Sequence, residues 1–262
     1  MAPPTIPFTL DLPTALSLGA VFSLVPVSLL LSKALIPASH RQNRLLFVWH
    51  AFDAFTHFLV EGSFLYNCFF SYQDLNDLLD KSNPLTTRTN HAHRPPFFLS
   101  RADRLYGAAY GTGPTARLWQ EYGKADSRWA GADTNVISIE LLTVFMDGPL
   151  AVYICYLLYK ASSAQTTQQS QVTAAANTGK LWFCSVFLAV AELYGGFMTF
   201  APEWLSGNTA LATEDPVYLW LYLSFFNILW VIIPFGVLFV AWNEIKTAFV
   251  KNALSGASKK SN

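Results

Sequence analysis

The chain has 262 residues, 52% of them hydrophobic and 15% aromatic, with 13% charged and a formal net charge of zero. An average soluble domain carries about 25% charged residues, so this composition points to a membrane protein. The basic residues form no stripe interleaved with aromatics, which excludes the electrostatic footprint of a nucleic-acid binder.

No Lys or Arg precedes the first apolar run, and Pro3, Pro4 and Pro7 lie ahead of it, so a cleaved signal peptide is not expected. That run, at about 14–36, is followed by others at 46–72, 135–159, 181–202 and 217–242. Each is close to or above the roughly 20 residues that a helix needs to cross a bilayer. The expected fold is therefore an all-α integral membrane protein, one domain over 1–262, built as a bundle of five transmembrane helices. An extended variable loop, 73–134, would join the second and third helices, and a tail would follow at 243–262. Lys33, Arg41, Arg44, Lys160, Lys180, Lys246 and Lys251 fall on one side of this scheme, which makes that side, and the tail, cytoplasmic. The 203–216 connection offers only acids and suits the lumenal side; the loop at 73–134 carries eight Lys or Arg, but long loops obey the rule poorly.

Within the second run, HAFDAFTHFLVEGSF (50–64) sets His50, Asp53, His57 and Glu61 three or four apart, on one helical face. Such groups cost on the order of 3 kcal/mol each at mid-bilayer, which is tolerated where they face an interior or a cavity. Asp53 and Asp147, nearer helix ends, read as capping or interface residues. Between the second and third runs, 73–117 reads as an elaborated loop with short helical pieces; His91 and His93 lack a neighbouring ligand set, and no metal is expected. The third run adds Glu140 and Thr143 on one face, the fourth Glu192 and Tyr194, and the last Tyr222, Asn227 and Trp230. For Asn227, hydrogen bonding that binds helices together is an equal alternative. Cys68, Cys155 and Cys184 lie in or beside apolar runs and read as packing residues. Lys259 and Lys260, ahead of Ser261 and Asn262, resemble a dilysine retrieval signal of the endoplasmic reticulum, although a solvated tail has the same composition.

Two carboxylates and an imidazole in an apolar setting can differ in protonation, so one holds a proton while another lacks it. An indole face attracts a cation, and Trp230 is placed to shelter one. These residue types suggest proton addition and removal on a lipophilic molecule through a cationic intermediate, without a cofactor.

The segments HFLVEGSFLY (57–66), LWQEYGKADSRW (118–129), ELLTVFMDGP (140–149), AELYGG (191–196) and PVYLWLYLSFFNILWVIIP (216–234) together resemble the emopamil-binding protein family, the sterol Δ8-Δ7 isomerases of the EXPERA group. The resemblance implies a five-helix enzyme of the endoplasmic-reticulum membrane, often dimeric, that shifts the sterol B-ring double bond and is inhibited by cationic amphiphilic amines. It implies catalytic roles for His57, Glu61, Glu140, Thr143, Asn227 and Trp230, with Tyr122, Asp126 and Arg128 also needed for activity. Glu192, Tyr194 and Tyr222 are added as substrate-binding or supporting residues. Ser63 departs from the bulky aromatic of the family pattern, Glu192 stands in place of Gln and Gly196 in place of Asp, so the substrate is less defined than the proton chemistry. Two alternatives stay open: a noncatalytic protein binding sterols or amphiphilic amines, and an isomerase acting on a specialised terpenoid.

Overall fold

The computed structural model describes residues 7–75, 98–163 and 167–260. His91, His93, Ser261 and Asn262 lie outside the described residues, as do the side chains of Lys259 and Lys260.

The first helix, α1 (Leu12–Leu35), starts where Asp11 Oδ1 accepts the Thr14 amide at 2.9 Å, an N-cap that satisfies one of the orphan donors of the first turn. A long helical stretch follows in three pieces: α2 (Arg41–Phe55), a π-helical segment (Thr56–Glu61) and α3 (Gly62–Phe70). Beyond it, the region read as loop contains a two-stranded antiparallel ribbon, β1 (Tyr72–Asp74) with β2 (Arg104–Tyr106), and the short helix α4 (Pro114–Tyr122). The ribbon is pinned by Arg104, whose guanidinium reaches Asp74 at 2.8 Å and lies 4.1 Å from the Tyr72 ring centroid. Helix α5 (Thr134–Leu142) begins where Asp133 accepts the Val136 amide, and a second π-helical segment (Thr143–Asp147) joins it to α6 (Gly148–Ser162). After α7 (Gln168–Ser206), a third π-helical segment (Tyr218–Phe225) leads into α8 (Phe226–Lys260).

Among the described residues, four helical stretches are long and apolar enough to cross a membrane: Leu12–Leu35, Thr134–Ser162, Gln168–Ser206 and Tyr218–Gly256. The stretch from Arg41 to Phe70 matches the expected second span in length, but His50, Asp53, His57, Glu61 and Asn67 dilute its apolar character. Phe183, Phe239 and Trp220 are each about 70% exposed, surface that water would penalise and lipid tails accept. The chain is a multi-pass, mostly helical membrane protein.

The chain forms two compact units, each assembled from separate stretches. The first takes residues up to Ser23, Thr56–Phe145 and Phe197–Asn227. One part of its core stacks Trp119 on Trp129 at 4.9 Å with Phe64 against both; another gathers Ala125, Leu211, Tyr218 and Tyr222. Gly107 in this unit has φ +129°, and a Cβ there would come within 2.6 Å of the Ala130 carbonyl oxygen, so only glycine fits. The second unit takes Leu24–Phe55, Met146–Gly196 and the residues from Ile228 onward. Its core packs Phe47, Trp49 and Phe52 of α2 with Ile154, Leu157 and Leu158 of α6, Leu188 of α7 and Val237 of α8. All three cysteines are free thiols, Cys68 buried and Cys155 and Cys184 half-buried.

Candidate active site

In the first unit, the π-helical segment Thr56–Glu61 carries two of the residues singled out by spacing. His57 Nδ1 and Glu61 Oε2 are 2.5 Å apart, and His57 is 2% exposed. A hydroxyl from the next π-helical segment continues the chain: Thr143 Oγ1 lies 2.8 Å from Glu61 Oε2 and 3.0 Å from Glu140 Oε2. Imidazole, carboxyl, hydroxyl and carboxyl thus form one hydrogen-bonded row, with Glu140 4% exposed at its far end.

A threonine hydroxyl has one hydrogen to donate. Its oxygen also lies 3.2 Å from the Glu140 carbonyl oxygen, and it can bond both carboxyl groups at once when one of the acids carries a proton. The same row holds a proton donor and an acceptor whichever acid is protonated. π-Helical turns are uncommon and concentrate at functional sites because the extra residue per turn re-aims side chains and loosens the backbone ladder. The segments Thr56–Glu61, Thr143–Asp147 and Tyr218–Phe225 carry His57, Glu61, Thr143 and Tyr222.

A second polar group of the same unit joins Asn227 to the segment before α5. Asn227 Nδ2 donates to the Tyr122 hydroxyl at 3.0 Å and to the carbonyls of Tyr222 and Leu223 at 3.1 and 2.9 Å. Those carbonyls belong to the π-helical segment, so Asn227 ties that segment to the Tyr122 hydroxyl. Burial, with Asp126 adding to it, raises the Tyr122 phenol and keeps it neutral. The Tyr222 hydroxyl donates to Glu121 Oε1 at 3.1 Å, and Lys124 Nζ pairs with Glu121 Oε2 at 2.5 Å. Glu121, 3% exposed, is a functional candidate that residue spacing did not single out; its signal was a carboxylate between Trp119 and Tyr122, three residues before Lys124.

Asp126 and Arg128 form a bidentate pair, Nε to Oδ1 at 2.9 Å and Nη2 to Oδ2 at 2.6 Å. Arg128 Nη1 also donates to the Thr199 carbonyl at 2.7 Å, and Trp129 Nε1 donates to Asp126 Oδ2 at 3.2 Å. Backbone bonds from Ser127 to Ala210 and from Ala212 to Ala125 stitch this segment to the connection ahead of Tyr218. Burial alone would lower the Arg128 guanidinium, but the Asp126 carboxylate more than offsets it and the net shift is upward. These residues hold the segment that carries Tyr122 and Glu121, a positioning role.

The remaining candidates lie in the second unit. Trp230 Nε1 donates to Asp53 Oδ1 at 3.1 Å. Asp53 is fully buried one residue after Phe52, so the capping or interface placement expected from its position is replaced by a tryptophan partner on another helix. Asp147 makes no side-chain capping bond to α6 and is 2% exposed, so it too is an interior residue. Glu192 is buried, whereas Tyr194 is 62% exposed.

Apolar helices and a partly buried imidazole–carboxyl–hydroxyl–carboxyl row describe a membrane protein with a hydrogen-bonded set of groups able to exchange protons. The family model for EBP, described as EXPERA (EXPanded EBP superfamily), matches residues 114–241, a range that includes Glu140, Thr143, Asn227 and Trp230. The chain is 26% identical over 271 residues to the probable 3-beta-hydroxysteroid-Delta(8),Delta(7)-isomerase of Arabidopsis thaliana, covering 99% of this chain and 97% of that protein. It is 29% identical over 147 residues to the 3-beta-hydroxysteroid-Delta(8),Delta(7)-isomerase of Cavia porcellus, 56% of each chain. It is also 30% identical over 130 residues to isomeliandiol synthase MOI2 of Melia azedarach, 50% of this chain and 53% of that protein. The chain is thus similar to the EBP family over residues 114–241, and the relatives it matches include proteins named as isomerases.

Proposed function

We propose that this protein is a 3-beta-hydroxysteroid Δ8-Δ7 isomerase of sterol biosynthesis. The row His57–Glu61–Thr143–Glu140 carries this reading, because it supplies a proton and a place for one to go within a single, partly buried network. An acid of the row protonates C9 of the Δ8 sterol; the alkene electrons form the C9–H bond and leave a tertiary cation at C8. A basic member then removes a proton from C7, and those electrons form the C7–C8 double bond. The row ends with its proton count restored, and no cofactor enters. Acid/base assistance of this kind contributes about 10²–10⁴-fold in rate. An indole face stabilises a cation by up to about 2 kcal/mol when desolvated, and a cation-binding role for Trp230 is what the family resemblance implies.

The same reading makes Arg41–Phe70 a fifth transmembrane span, its polar stripe being the functional content of the helix. It places the protein in the endoplasmic-reticulum membrane with its carboxy terminus cytoplasmic, in contact with membrane lipid, with a homodimer and cationic amphiphilic amines as further partners. The isomeliandiol synthase relative favours a second reading, in which the same proton chemistry acts on a specialised terpenoid.

Expression in a host lacking sterol Δ8-Δ7 isomerase tests the proposal. Δ7 sterols are expected to appear, and in deuterated water the product should carry one deuterium at C9. Persistence of Δ8 sterols despite well-inserted protein would move the terpenoid reading, or noncatalytic sterol or amine binding, ahead. Δ7 product without deuterium at C9 would keep the isomerase and remove the solvent-exchanged relay.

A further inference from the structure

Asp53 is a fully buried carboxylate that the proton row does not use. A buried carboxyl group is costly unless a specific partner repays it, and here one partner is the Trp230 indole N–H at 3.1 Å. The ring it holds is packed on two others of the same unit: Trp49 lies 5.6 Å from Trp230 at 60°, and Phe52 lies 5.8 Å away at 41°. Trp49, Phe52 and Asp53 are buried, whereas Trp230 is half-buried, so the indole is the member of the cluster with surface left to offer a ligand.

An indole attracts a cation through its face, so its orientation decides whether that attraction is available. A carboxyl oxygen accepting the N–H fixes the ring about its long axis and draws positive charge to the ring edge, leaving the face richer in electrons. We propose that Asp53 is a positioning residue for Trp230: it holds the indole so that its face can receive a desolvated organic cation of the protonated tertiary amine class. This inference rests on the cation-binding role given to Trp230 in the proposed function.

The test uses the full chain in lipid nanodiscs and an azasterol with a protonated tertiary nitrogen at the C8 position, its affinity compared with that of the parent neutral sterol. Asp53→Leu is expected to weaken azasterol binding roughly tenfold, in line with the strength of a desolvated cation–π contact, while changing neutral-sterol affinity less than about twofold on the same scale. Asp53→Asn keeps an oxygen that can accept the same N–H, so its azasterol affinity should stay within about threefold of the unaltered protein. In a Trp230→Leu background, Asp53→Leu should add nothing further.

Unchanged azasterol affinity in Asp53→Leu would overturn the proposal. So would equal losses of cationic and neutral binding, additive effects in the double variant, or an Asp53→Asn variant as impaired as Asp53→Leu. Turnover is measured separately: if the unaltered protein binds the azasterol without isomerising the sterol, the isomerase reading fails and the positioning role stands. If Trp230→Leu binds the azasterol normally, the cation role and the positioning role fall together.

Discussion

At the scale of single residues, the site turns on Thr143, whose one hydroxyl bridges two carboxyl groups, donating to one and accepting from the other. Thr143→Val keeps the shape and removes the link, leaving Glu61 and Glu140 without the group that holds them in register. Its turnover is expected to fall by about one to two orders of magnitude, with KM nearly unchanged, because proton delivery rather than binding volume is lost. Glu140→Gln and His57→Ala each take a proton-carrying group out of the row and should abolish isomerisation while leaving expression and membrane insertion intact. A microsomal assay on a Δ8 sterol checks all three, and near-normal turnover in any of them would remove that residue from the relay.

At the scale of elements, the π-helical segments and the segment ahead of α5 matter most. Spacing alone placed His57 and Glu61 on one face, since residues four apart stay close on either helix type. It could not show that the helix widens at Thr56–Glu61, because the tighter α-ladder and the π-turn share one residue pattern and tertiary packing chooses between them. Asn227 shows the same limit: sequence left helix adhesion and chemistry equally open, and in the structure its amide serves both backbone carbonyls and the Tyr122 hydroxyl. The Asp126–Arg128 pair fixes the segment through which Tyr122 is presented. Arg128→Lys keeps the charge and loses the planar fork, so thermal unfolding in detergent should show about 1–3 kcal/mol of lost stability. Turnover should fall with it, and an unchanged midpoint would show that the fork is not what holds this seam.

At the scale of the whole molecule, the expected membrane topology follows from the side on which the lysines and arginines collect. An epitope at the carboxy terminus is expected to be reached by antibody after selective permeabilisation of the plasma membrane. Accessibility only after internal membranes are opened would invert the topology.

The sequence by itself determined the membrane class, the helical content, the family resemblance and the residue types of the hydrogen-bonded row. These are properties of composition and of short-range spacing, and both are complete in a linear chain. The tertiary structure decided which groups became partners: Thr143 between two acids, Tyr222 on Glu121, Arg128 on the Thr199 carbonyl and Asp53 on Trp230. Each of those bonds joins residues from separate elements or turns on a hydroxyl shared between groups, and helix periodicity places residues on a face without saying what that face meets. Asp53 shows the consequence: its place in the chain suggested a helix end, and packing made it the buried acceptor of an indole 177 residues away.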